Sequence, residues 1–120
     1  MKRLLGCLVL WVAVQVSAAG TDITGKWKFE VQLDAGSGSP TFIFEQNGEK
    51  LSGKYQGQFG EETLSGTVKG NTVKFTFRLS QGGESVEVTY EGAMQEDGTM
   101  KGKATYGSFA SGTWTAKRVE

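Results

Sequence analysis

The chain has 120 residues, enough for one domain, with 13 basic and 13 acidic side chains, one cysteine and no histidine. Without histidine, Ser-His-Asp catalysis and histidine-ligated zinc are excluded. Basic and acidic residues are interspersed and form no cationic stripe, so neither nucleic acid nor an anionic membrane surface is expected as a partner.

The opening stretch, "MKRLLGCLVLWVAVQVSAAG", starts with Lys2 and Arg3, continues as an apolar run from Leu4 to Val16 and ends in small residues. That is the three-part pattern of a secretory leader, with cutting expected after Ala18 or Ala19. The apolar run is shorter than the roughly 20 residues a spanning helix needs. Residues 1–19 are therefore read as a signal peptide and 20–120 as a single exported domain, periplasmic or extracellular. The cysteine, Cys7, lies inside the leader and precedes most of its apolar run, which does not fit a lipid-attachment site. The mature chain would then hold no thiol and no disulfide, and its core alone would have to stabilise it. Losing Lys2 and Arg3 leaves 11 basic against 13 acidic residues, a charge of −2.

From residue 23 onward, apolar residues recur at every second position between Gly, Asn and Asp turn signals, and no stretch has helical periodicity. Eight runs follow one another: "ITGKWKFEVQL" (23–33), "TFIFEQ" (41–46), "KLSGKYQGQF" (50–59), "ETLSGTVK" (62–69), "TVKFTFRLS" (72–80), "ESVEVTYEGAMQ" (84–95), "TMKGKATYG" (99–107) and "SGTWTAKRV" (111–119). Connections of mostly two to four residues are those of consecutive antiparallel hairpins. The exception is "DAGSGSP" (34–40), read as one longer flexible loop.

Parity separates two faces. One collects Trp27, Phe29, Phe42, Phe44, Tyr55, Phe59, Phe75, Phe77, Tyr90, Tyr106 and Trp114 with Val, Leu and Met; the other is Lys, Glu, Gln, Thr and Ser, with Ile43 and Ala93 as its apolar exceptions. An apolar sheet face has to be buried, and sequential hairpins do this by closing on themselves, which also removes free edges. The expected fold is all-β, an eight-stranded antiparallel up-and-down barrel; a two-sheet β-sandwich is the alternative. A membrane barrel alternates too, with the faces reversed, but several runs here are short for a span and the large aromatics suit a packed interior. The segments "KLSGKY", "TLSGTV" and "TMKGKA" form a weak repeat that puts Gly53, Gly66 and Gly102 on the inward face, as Gly57 and Gly92 also are. Such glycines either let a small barrel bend or leave a cavity.

"TGKW" at the start and "GTWTAKR" at the end resemble the first and last strands of the lipocalin and avidin group, and "LSGKY" resembles the avidin third strand. That resemblance does not extend to biotin chemistry. Phe29 stands where avidin has an asparagine, Leu33 where it has a serine, and Gly57 follows Tyr55 where a hydroxyl residue is expected. The pattern Gly25, Trp27, Gly48, Leu51, Gly53, Gly66, Val68, Gly70, Asn71, Val73, Phe75, Gly112, Trp114, Ala116 and Arg118 resembles more closely a little-characterised bacterial extracytoplasmic barrel module. That module occurs alone after a signal peptide or fused to secreted hydrolases such as amidohydrolases. The resemblance covers residues 23–119; it implies an accessory domain and no particular activity.

The carboxylates of Glu61 and Glu62 are neighbours on a strand beside a turn, so they face opposite ways and do not form a glycosidase pair. "EDG" (96–98) reads as a hairpin turn, and "GSGS" (36–39) lacks the strand–loop–helix context of a phosphate loop. No enzyme activity, cofactor or metal is expected. Two functions remain. One is a binding barrel holding a small apolar ligand in its interior or mouth, lined by Trp27, Tyr55, Tyr90, Tyr106 and Trp114. The other is a protein-interaction module or hydrolase inhibitor acting through loops such as "YGSFASG" (106–112), which carries Phe109. The polar outward positions predict a monomer. Trp27 and Trp114, on the first and last strands, are expected to meet at the seam.

Overall fold

Strict alternation over seven to eleven residues has one physical outcome, a strand with one face buried, and eight of the nine strands among the described residues are of this kind. The computed structural model describes residues 22–58, 60–81 (Gln81 by its backbone only) and 83–119. The expected leader with Cys7, and the inward assignment of Phe59, lie outside the described residues. In chain order the strands are β1 (Gly25–Leu33), β2 (Gly36–Gly38), β3 (Thr41–Asn47), β4 (Lys50–Gly57), β5 (Gly60–Lys69), β6 (Thr72–Gln81), β7 (Glu84–Met94), β8 (Met100–Tyr106) and β9 (Ala110–Arg118). All pairings are antiparallel between consecutive elements from β3 to β9. β1 pairs with β3 and β2 on one side and with β9 on the other. That last ladder, from Trp27↔Arg118 to Leu33↔Gly112, closes the sheet into an eight-stranded up-and-down barrel and sets aside the sandwich.

The ninth, short strand corrects the reading of residues 34–40 as one flexible loop. Leu33↔Gly36 leaves a two-residue turn at Asp34–Ala35, and Gly38 pairs back onto Val31. β2 and β3 run successively along the same edge of β1, interrupted at Ser39–Pro40, where the Phe29 N–H donates to the Pro40 carbonyl at 2.9 Å. "GSG" carries no alternating side chains. Its conformation is set by the edge it meets, where β1 still offers free backbone groups.

The apolar face is the interior. Among the described residues ten aromatic side chains are buried there and interlock: Phe29 lies 4.4 Å from Phe42 and stacks on Trp114 at 4.8 Å, Tyr55 stacks on Phe77 at 4.8 Å, and Phe75 stacks on Tyr90 at 5.1 Å. Among the described residues no charged side chain is buried. The inward glycines do not enclose space. At Gly102 a Cβ would run into the Glu91 carbonyl and the Gly92 backbone, and at Gly92 into the Lys101 carbonyl and, at 2.6 Å, the Trp114 ring. The direct pair Gly92↔Gly102 thus lets β7 and β8 coil tightly while the Trp114 indole covers them.

The seam differs from the expected tryptophan pair. Register sets Trp114 opposite Val31 and Trp27 opposite Arg118. Trp114 therefore joins the seam through Phe29, and its Nε1–H donates to the Lys103 carbonyl at 2.9 Å. Trp27 is covered by the Arg118 guanidinium at 4.7 Å.

Candidate functional site

Up-and-down topology divides the connections between the two ends of the barrel. One end holds the entering segment Asp22–Thr24 with the β3–β4, β5–β6 and β7–β8 turns; the other holds the β1–β2 hairpin with the β4–β5, β6–β7 and β8–β9 turns.

The first end is sealed. Ile23, read as the start of the first strand, instead precedes it and is fully buried. Its carbonyl accepts the Trp27 Nε1–H at 2.9 Å, and its N–H donates to Gln46 Oε1 at 2.9 Å. Arg118 stacks on Trp27 and donates from Nη1 to the Thr24 carbonyl at 2.6 Å and from Nη2 to the Asp22 carbonyl at 3.1 Å. Hydrogen bonds from Thr24, with the Arg118 charge as a smaller contribution, hold the Asp22 carboxyl below the usual carboxylate value.

The second end is open and contains a cavity of about 480 Å³. Its walls come from three pieces of chain. β1 and the β1–β2 hairpin give Val31, Leu33 and the stretch Ala35–Pro40; the end of β4 and its turn give Tyr55 and Gln58; β8 and its turn give Tyr106 and Phe109. Val31, Tyr55 and Tyr106 are buried and form the floor, whereas Phe109 stands at the rim and is 76% exposed. Gly57 gives the Tyr55 ring its place, since a Cβ there would lie 2.6 Å from the ring's Cζ and closer still to its hydroxyl. The Tyr106 and Tyr90 hydroxyls share a 2.6 Å hydrogen bond. Burial raises both phenols above the ordinary tyrosine value, so both remain protonated at neutral pH.

Of the five residues singled out from sequence, the structure brings Tyr55 and Tyr106 into this mouth. It places Trp27 at the sealed end, and Trp114 and Tyr90 in the packed middle, with Tyr90 touching the site through Tyr106. Val31, Leu33, Pro40 and Gln58 complete the mouth without having been singled out. Parity puts Val31 and Leu33 on the inward face, but which inward residues reach the mouth depends on register, which alternation alone does not specify.

The wall also parts on one side. The β5–β6 ladder runs only from Lys69↔Thr72 to Leu64↔Phe77, and outside the barrel at that point lies a second hollow of about 360 Å³, bordered by Glu62, Thr63, Arg78 and Glu87. Among the described residues no group of three or more His, Cys, Asp or Glu side chains is placed to hold a metal ion. Compared with known proteins, the chain matches no family model and no curated protein.

Proposed function

We propose that this chain is a non-catalytic, exported, lipocalin- or avidin-like barrel that binds a small apolar molecule in its open mouth. The observation that carries this is the cavity itself. At about 480 Å³ it falls within the roughly 300–1,000 Å³ of small-molecule sites, and its wall combines apolar Val31, Leu33, Pro40 and Phe109 with the uncharged polar side chains of Ser37, Gln58 and the tyrosines. The expected leader supports export to the periplasm or medium. The polar exterior supports a monomer in water rather than a barrel inserted in lipid: among the described residues only Phe109 and Val119 are large apolar side chains left exposed. A chain without histidine lacks the commonest general base, and we take it as a binder rather than a catalyst.

The test is titration with Nile red, a neutral dye that brightens in apolar surroundings. The wild-type chain should bind it saturably. Leu33→Arg, which sets a charge in the mouth on a partly buried residue at the end of β1, should weaken binding at least tenfold while the barrel still unfolds cooperatively. Unchanged dye affinity in that variant would place the dye elsewhere and overturn the reading.

A second reading, a protein-interaction module or hydrolase inhibitor acting through its loops, is favoured by Phe109, a large ring offered to solvent on a short turn. A partner that binds the wild type and not Phe109→Ser, with Nile red affinity unchanged, would favour it.

A further inference from the structure

Resting on the mouth as a ligand site, we infer that its ligand is uncharged and presents a hydrogen-bond acceptor, a carbonyl or ether oxygen, on an apolar body. Two independent features of the mouth lead there, one excluding charge and one supplying a donor.

The first is the lining. No Lys, Arg, Asp or Glu side chain lines the cavity among the described residues. The acidic groups nearest in sequence are already engaged on its outside: Glu30 Oε1 accepts from the Ser39 hydroxyl at 2.9 Å, and Asp34 Oδ1 accepts the Ser111 N–H at 3.3 Å. A carboxylate or ammonium headgroup entering the mouth would shed water without gaining a counter-charge, which disfavours its binding strongly.

The second is the direction of the hydroxyl pair. Tyr90 and Tyr106 each have one hydroxyl hydrogen, and their single mutual bond uses one of the two. Tyr90 is packed against the rings of Phe29, Phe42, Phe75, Phe77 and Trp114, none of which accepts a conventional hydrogen bond, with the Tyr55 phenol also near it. Tyr106 lines the cavity. With Tyr90 donating to Tyr106 and Tyr106 donating into the mouth, neither hydrogen is orphaned in the interior. The floor then carries an outward O–H donor. An acceptor oxygen with no charge satisfies that donor, and the apolar walls take the rest of the molecule.

The experiment displaces Nile red with four molecules sharing one chain: decane, methyl decanoate, decanoate and decylammonium. The ester should compete at least tenfold better than either ion and several-fold better than decane. In the double variant Tyr90→Phe/Tyr106→Phe the ester should lose its advantage over decane. Removing both hydroxyls together leaves no orphaned partner, so this variant should keep its fold, with a melting temperature near that of the wild type. Decanoate or decylammonium binding as well as the ester would overturn the inference, as would an ester preference that survives in the double variant. Failure of Nile red to bind the wild type at all would instead overturn the mouth-site reading, and the inference with it.

Discussion

The two ends of this barrel are made from the same alternating strands and finish differently. At the sealed end the entering segment folds over the bore, Ile23 fills it, and Arg118 ties the last strand to the first by stacking and by two hydrogen bonds. At the open end the β1–β2 hairpin stands away from β4, the β5–β6 ladder stops early, and a cavity replaces the plug. Rings pack the middle of the barrel and set the depth of the mouth. The difference shows how one small domain can concentrate its packing at one end and in the middle and leave the other end hollow, as the proposed binding site requires.

The largest expected effects lie where packing is complete. Trp27→Ala removes a fully buried indole together with its hydrogen bond to Ile23 and its Arg118 contact, and Trp114→Ala removes the ring that covers Gly92 and stacks on Phe29. Each should cost about 3–5 kcal/mol in denaturant unfolding, as large core aromatics do. A loss below about 1 kcal/mol for Trp27→Ala would mean that the sealed end does not hold the fold.

Next comes alkali. Tyr90 is kept neutral in the folded chain chiefly by burial, whereas in the unfolded chain it ionises around its ordinary value of 10.0. A folded pKa raised above the unfolded one gives stability that is complete below pH 10.0 and falls as pH climbs beyond it. The slope approaches about 1.4 kcal/mol per pH unit for such a group. Tyrosinate absorbance of Tyr90 should therefore appear together with loss of the barrel's circular-dichroism signal, not before it; ionisation in a still-folded protein would show that the phenol reaches solvent.

Smaller is the clamp. Arg118→Ala should cost roughly 1–2 kcal/mol, combining the loss of charge-assisted hydrogen bonds with that of a cation–π contact. Arg118→Lys keeps the charge but cannot donate to two carbonyls through a planar fork, so it should restore only part of that loss. Equal stability of wild type and Arg118→Lys would reduce the clamp to simple charge.

How much of this was legible in the sequence follows from the same contrast. Alternation specified eight strands and their inward faces, because period two is a local property; it favoured closure over a sandwich without deciding it, since the closing β1–β9 ladder is a non-local pairing. The ends were less legible. "GSGS" reads as a loop because glycine and serine carry no pattern, yet Val31↔Gly38 makes it a strand. Ile23 continues the alternation of the first strand but serves as a plug. In the sequence Arg118 stands out only as one residue of the barrel-module pattern, and its role needs contacts between segments more than ninety positions apart. Tyr55 and Tyr106 could be proposed for the site as inward residues with hydroxyls; that Trp27 and Trp114 lie away from the mouth depends on depth along the barrel, which parity does not carry.

The smallest expected effect is also the sharpest test of the contrast. Phe109 is 76% exposed on the β8–β9 turn, where its N–H donates to the Tyr106 carbonyl at 3.0 Å, a backbone bond that a substitution leaves in place. A side chain with so little burial contributes little to folding, so Phe109→Ala should change unfolding free energy by less than about 0.5 kcal/mol. Yet Phe109 borders the cavity, and a rim ring that folds over a bound molecule adds apolar packing absent from the free protein. Nile red should therefore dissociate several-fold faster from Phe109→Ala, with association little altered, because packing that forms only after docking acts on the off-rate. If the variant instead unfolds as readily as Trp27→Ala, the open end is part of the structural core, and the division of labour between the two ends fails.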